Sequence, residues 1–153
     1  MRGIKGAVIG IAAIAGLAGY AATARADGYT LGSVKGFYVL EYAGSEVTSV
    51  PAAPFNGLGL VYADGNGNLK GDETFNQAGT LCSGTIIGTY TVGPQGEGTA
   101  TINYTPAASS TCSASATDLR LIVRDLNNVH IIGTESTEIL GGGLHRQSGG
   151  NRF

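Results

Sequence analysis

The chain carries only two histidines, two cysteines and no tryptophan. Catalysis or metal binding through imidazole must therefore use His130 or His145, and thiol chemistry must use Cys82 or Cys112. No glycine-rich loop follows a strand pattern and opens a helix, which leaves nucleotide binding without support. Beyond Gly28 no segment has a helical apolar period, and no cluster of lysine or arginine occurs. The missing basic stripe argues against nucleic acid and anionic lipid headgroups as partners.

What is present begins with a leader. Arg2 and Lys5 form a positive start, Ala7 to Ala22 is an apolar run, and Ala24-Arg25-Ala26 puts small residues where a signal peptidase reads. Residues 1–26 thus read as a signal peptide cleaved before Asp27. The competing reading is an uncleaved anchor, but the apolar run is shorter than the roughly 20 residues a spanning helix needs. Cleavage leaves 127 of the 153 residues, enough for a single domain over 27–146 with a flexible tail at 147–153. It also leaves six basic residues against eleven acidic ones, a formal charge of −5. The expected location is the periplasm or the outside of the cell. In that oxidising setting the even cysteine count reads as a disulfide, Cys82 to Cys112, rather than a redox pair, which would favour Cys-x-x-Cys spacing.

Period-two runs separated by turn residues recur along the rest of the chain. They fall at 35–43, 57–63, 69–77, 85–92, 98–105, 118–124, 129–135 and 138–146. The third is the most polar and is expected at an exposed or edge-like place. Residues 45–56, with Pro51 and Pro54, read as a loop folded over a barrel mouth. Asp64-Gly65-Asn66-Gly67 and Gln95-Gly96-Glu97-Gly98 share an x-Gly-x-Gly form suited to tight hairpins, and Leu126-Asn127-Asn128 makes another short turn. Sequential hairpins imply an antiparallel meander. Its two unpaired edges vanish if the first and last strands meet, and Gly141-Gly142-Gly143 provides a bend for that closure. The expected fold is an all-β, closed, eight-stranded antiparallel up-and-down barrel. Ile86, Tyr90 and Val92, then Ala100, Ile102 and Tyr104, then Leu119, Leu121 and Val123 are expected inside. Eight strands enclose an interior that side chains fill or that holds one small ligand.

The run Gly88-Thr89-Tyr90-Thr91-Val92, the following Gly96-Glu97-Gly98-Thr99, and Asp64-Gly65-Asn66-Gly67-Asn68 resemble secreted bacterial barrel proteins. Those in turn are similar to the allene oxide cyclase and dirigent (calycin-like) type of eight-stranded barrel. The likeness spans most of residues 35–146 and implies the barrel. No motif in it carries over a catalytic residue.

Three functional classes follow. A binding module needs only a lined cavity, and Tyr38, Tyr62, Tyr90 and Tyr104 are the ligand-binding candidates for a small apolar or aromatic molecule, because tyrosine joins apolar area to a hydroxyl. A cyclase or isomerase needs an inward acid or base, for which Glu41, Glu73 and His130 are the candidates. A filled lumen would instead suit a structural or interaction protein. Asp64-Gly65-Asn66-Gly67-Asn68 has oxygen side chains at alternate positions, but Leu69 and Phe75 stand where an EF-hand needs glycine and glutamate, so an Asx-stabilised turn leads over calcium. No cofactor is implied and no metal site is expected. Stable membrane insertion is not expected either, because the rows opposite the apolar ones carry threonine and arginine.

Overall fold

The computed structural model describes residues 28–148. The leader, 1–26, and the end of the tail lie outside the described residues. A short 3₁₀ turn, Leu31–Ser33, leads into eight strands: β1 (Lys35–Glu46), β2 (Ala53–Asp64), β3 (Asn68–Gln77), β4 (Thr80–Tyr90), β5 (Glu97–Pro106), β6 (Ser115–Asp125), β7 (Asn128–Gly133) and β8 (Glu138–Arg146). Each pairs antiparallel with the next, and β1 pairs with β8, so the sheet closes into an up-and-down barrel. At the closing seam Tyr42 faces Gly142 and Ala43 faces Gly141, within the glycine run expected to ease closure.

Alternation sorts the side chains. Tyr38, Leu40, Ile86, Tyr90, Leu119, Leu121, Val129 and Ile131 are buried in one interior cluster. The outward row of β5 is Glu97, Thr99, Thr101, Asn103 and Thr105, all exposed. Threonines there bond across strands, Thr91 Oγ1 to Thr99 Oγ1 at 3.0 Å and Thr101 Oγ1 to Asp118 Oδ1 at 2.6 Å.

Three expectations need correction. The third strand is not at an edge, since β3 pairs with β2 and β4; its polarity belongs to an outward row of Asn68, Lys70, Asp72, Thr74 and Asn76. Residues 45–56 are not one loop, because β1 runs to Glu46 and β2 starts at Ala53. Pro54 is tolerated at the start of a strand, opposite Ser45, where a missing N–H costs the ladder least. The fourth strand ends at Tyr90 rather than Val92, although Thr91 and Gly93 still donate backbone hydrogen bonds to Thr99 and Glu97.

One end of the barrel is plugged. Residues 28–34 cross it, with the Tyr29 amide donating to Pro94 O at 3.0 Å and the Tyr29 hydroxyl to Arg124 O at 3.1 Å. The Tyr90 hydroxyl, from inside, donates to Val34 O (2.6 Å) and also lies 3.2 Å from Leu31 O, while it accepts from the Gly65 amide (3.1 Å). The glycine turns make this fit. Gly65, Gly67 and Gly96 all have positive φ, and a Cβ at Gly96 would press on the Tyr29 ring at 2.9 Å. The Asp64 loop closes on itself as an Asx turn: Asp64 Oδ1 accepts from the Asn66 and Asn68 amides at 2.7 and 3.0 Å, and Asn68 Nδ2 reaches Oδ2 at 2.8 Å. These bonds hold the Asp64 carboxyl below its ordinary range.

Candidate functional site

The other end opens into a cavity of about 630 Å³, inside the roughly 300–1,000 Å³ of small-molecule sites. Its floor is Leu40, Ile102, Leu119 and Ile131, and its wall holds four aromatic rings: Tyr42, Phe55, Phe75 and Tyr104. Space for the rings comes from glycine on neighbouring strands. A Cβ at Gly57 would collide with the Tyr42 ring, one at Gly44 with Phe55 at 2.6–2.8 Å, and one at Gly84 with Tyr104 at 2.6–2.9 Å. The Phe75 and Tyr104 rings meet edge to face with centroids 5.2 Å apart. The disulfide Cys82–Cys112 ties the loop after β5 to the buried β4 face, and both cysteines line the cavity.

β2 explains why the lumen is not filled. Its inward row is Ala53, Phe55, Gly57, Gly59, Val61 and Ala63, whereas Leu58, Leu60 and Tyr62 point outward. Apart from Phe55, the bulkier side chains of that strand therefore sit outside the barrel, with Leu58 60 % exposed.

The charged groups lining the open end are all acids among the described residues. Glu46, Glu73, Glu135 and Glu138 line the cavity, and among the described residues no lysine or arginine does. Glu73, 9 % exposed, is the one buried charged residue among those described. Its Oε2 lies 3.5 Å from the Tyr42 hydroxyl, a long contact. Burial pushes the Glu73 carboxyl up to about 7, with the Tyr42 contact opposing only in part. Burial also raises Tyr42, reinforced by the charges of Glu73 and Glu138 and by Tyr104. Glu138 is raised as well, first by burial and then by Glu135 and Glu46. Glu46 is held in place, accepting from Thr48 Oγ1 at 2.8 Å and Gln77 Nε2 at 3.0 Å.

The sequence candidates divide sharply. Of the catalytic set, Glu73 alone enters the lumen. Glu41 lies on the outer face, bonded to His145 Nε2 at 2.9 Å, and His130 is exposed on the outer face of β7. Of the tyrosine set, Tyr104 lines the cavity. Tyr90 is committed to the plug, Tyr38 is buried outside the cavity lining, and Tyr62 packs on Phe37 outside the barrel at 5.0 Å. The lining residues Tyr42, Phe55, Phe75, Glu46 and Glu138 were not in either set. The signal for Phe75 was readable, since it shares a row with Leu69 and Glu73; Phe55 was hidden by the proline-bearing segment read as loop.

No protein-family model matches the chain, and neither does any curated protein or solved structure. The resemblance to the allene oxide cyclase and dirigent type thus extends to the eight-stranded antiparallel barrel and no further.

Proposed function

We propose that this protein is an exported binding barrel that takes one small, aromatic or partly apolar molecule through its open mouth. The observation that carries the reading is a one-ended cavity of about 630 Å³ walled by four aromatic rings, with the opposite end closed by residues 28–34. Cavities with an apolar body and few polar groups are where small ligands bind. The disulfide supports a location outside the reducing cytoplasm, in keeping with the leader. The test is native mass spectrometry of protein from its own source, together with a thermal-shift screen of aromatic and hydrophobic compounds. A retained small molecule, or a stabilising hit lost in Thr117→Trp, which narrows the mouth, supports the reading. Absence of both sinks it.

A second reading rests on Glu73. A buried carboxyl poised near neutrality beside a tyrosine hydroxyl is what general acid–base catalysis uses, as in a cyclase or isomerase. Chromatography and NMR of a bound compound after incubation separate the two readings. Recovery of the compound unchanged leaves binding alone.

A further inference from the structure

The open end of the barrel gathers negative charge, and among the described residues no lysine or arginine lines it. Glu46 and Glu138 are direct cross-strand partners at the β1–β8 seam, both on the inward-facing row. Like charges directly opposite on one face destabilise a sheet. Glu73 joins them from β3, and Glu135 from the β7–β8 connection.

A second observation concerns what these groups lack. Tyr104 is 4 % exposed, lines the cavity, and its hydroxyl has no hydrogen-bond partner among the described residues. The same holds for the buried Oε1 of Glu138. Buried polar atoms are nearly always satisfied in a native protein, so these two are waiting for something the chain does not supply. The Glu138 oxygen needs a donor, the Tyr104 hydroxyl can accept from one or donate, and facing Glu46 a donor is best placed on a cation.

The aromatic wall narrows the cation further. The rings of Tyr42, Phe55, Phe75 and Tyr104 line the cavity, paired edge to face, and an aromatic wall of this kind suits a charge carried on an organic body. A bare divalent ion would instead call for several oxygens converging within 2.3–2.6 Å or so, and no group of three or more acidic, histidine or cysteine side chains among the described residues is placed to hold a metal.

We propose that the ligand of this cavity is a small organic ammonium ion, an amine carried on an aromatic or aliphatic body, with its nitrogen held at the mouth by the facing pair Glu46 and Glu138 and its body lying against the aromatic wall. The proposal rests on the cavity being a binding site and adds the charge of what it takes. It also explains why the acids face inward: the ligand supplies the missing counter-charge, and the Tyr104 hydroxyl and Glu138 Oε1 gain a donor.

The test uses three probes of matched shape, 2-phenylethylamine, 2-phenylethanol and 3-phenylpropionate, titrated calorimetrically into the disulfide-bonded protein at about pH 8, above the value of about 7 to which burial pushes Glu73 and where an alkylamine remains protonated. The amine is expected to bind at least about tenfold more tightly than the alcohol, and the carboxylate weakest of all. Glu138→Gln and Glu46→Gln should each weaken amine binding about fivefold or more while leaving the alcohol unchanged; Glu41→Gln, on the outer face, should alter neither. Thermal melts of each variant verify folding, and Tyr104→Phe, which removes no charge, provides a second line by weakening the amine about twofold to fivefold. Equal or tighter binding of the alcohol or the carboxylate overturns the charge assignment and leaves the pocket reading standing. Calcium or magnesium binding that excludes the amine likewise overturns it. Failure of all three probes to bind overturns the proposal, and the pocket reading falls with it only if the broader screen and native mass spectrometry also find no ligand.

Discussion

At one end of the barrel the Tyr90 hydroxyl meets Gly65, Leu31 and Val34; at the other the Tyr104 hydroxyl meets no partner among the described residues. Both tyrosines come from the same kind of alternating row, and both are buried. The difference is the chain around them. Residues 28–34 bring backbone donors and acceptors across the first end, so a polar tip there becomes part of the packing. The second end has a loop tethered by a disulfide, four acids and open volume. Tyr38 shows the other side of an unpartnered hydroxyl: it also lacks a partner among the described residues, but it does not line the cavity. An unmet polar group points to function only where space adjoins it.

The comparison can be broken most forcefully at the tether. Replacing both cysteines with alanine should lower stability by about 3–4 kcal/mol, from the entropy of opening a closed loop of this length. Urea unfolding of the double variant measures it, and a loss under about 1 kcal/mol would mean that the tether contributes little to the open end. Next comes the plug. Tyr90→Phe should cost roughly 2 kcal/mol, because it strands the Val34 carbonyl and the Gly65 amide beneath residues 28–34. Faster hydrogen exchange confined to residues 28–34 and 65–67 should accompany it.

Glu73 sharpens the comparison through pH. Its folded value of about 7 lies above the ordinary 4.5, so the folded state holds its proton more tightly than the unfolded chain does. The burial cost is therefore absent at low pH, grows between 4.5 and about 7, and is fully present above that. Glu73→Gln should stabilise the protein by roughly 1–2 kcal/mol near pH 8, less than the full shift implies because the open cavity partly hydrates the carboxyl, and by nothing near pH 4. Paired melting curves across that range decide it; a pH-independent difference would show that the carboxyl is solvated. The smallest effect is expected at Tyr104→Phe in the absence of ligand. With no partner to lose, stability should change by less than about 0.5 kcal/mol, in contrast to Tyr90→Phe. A loss as large as that of Tyr90→Phe would place an unseen partner at the open end.

How much of this was legible depended on the contrast within each strand. In β3 the row Lys70, Asp72 and Thr74 is polar, so Leu69, Glu73 and Phe75 had to face inward together, and Glu73 was a candidate from the residues alone. In β1 both rows are apolar: Phe37 and Val39 share Glu41's row, Tyr38 and Leu40 that of Tyr42. Nothing local ranks one above the other, and Glu41 was placed beside Glu73 when it belongs outside with His145. β2 misled in the opposite sense, because its larger residues, Leu58, Leu60 and Tyr62, lie on the row that the barrel leaves outside.

By itself the sequence determined the number of strands, the short glycine turns, the closed meander and the pairing of its two cysteines. Those follow from local periodicity, from the positive φ that turns require, and from the need to leave no edge unpaired. Which row of β1 and β2 faces the lumen was decided only by the tertiary structure, along with the pairing of Glu46 and Glu138 at the mouth. Where both rows are apolar, alternation defines two faces without naming the inner one. That choice is made by barrel closure and by glycines such as Gly57 that yield room to a ring on the next strand, interactions between residues distant in the chain.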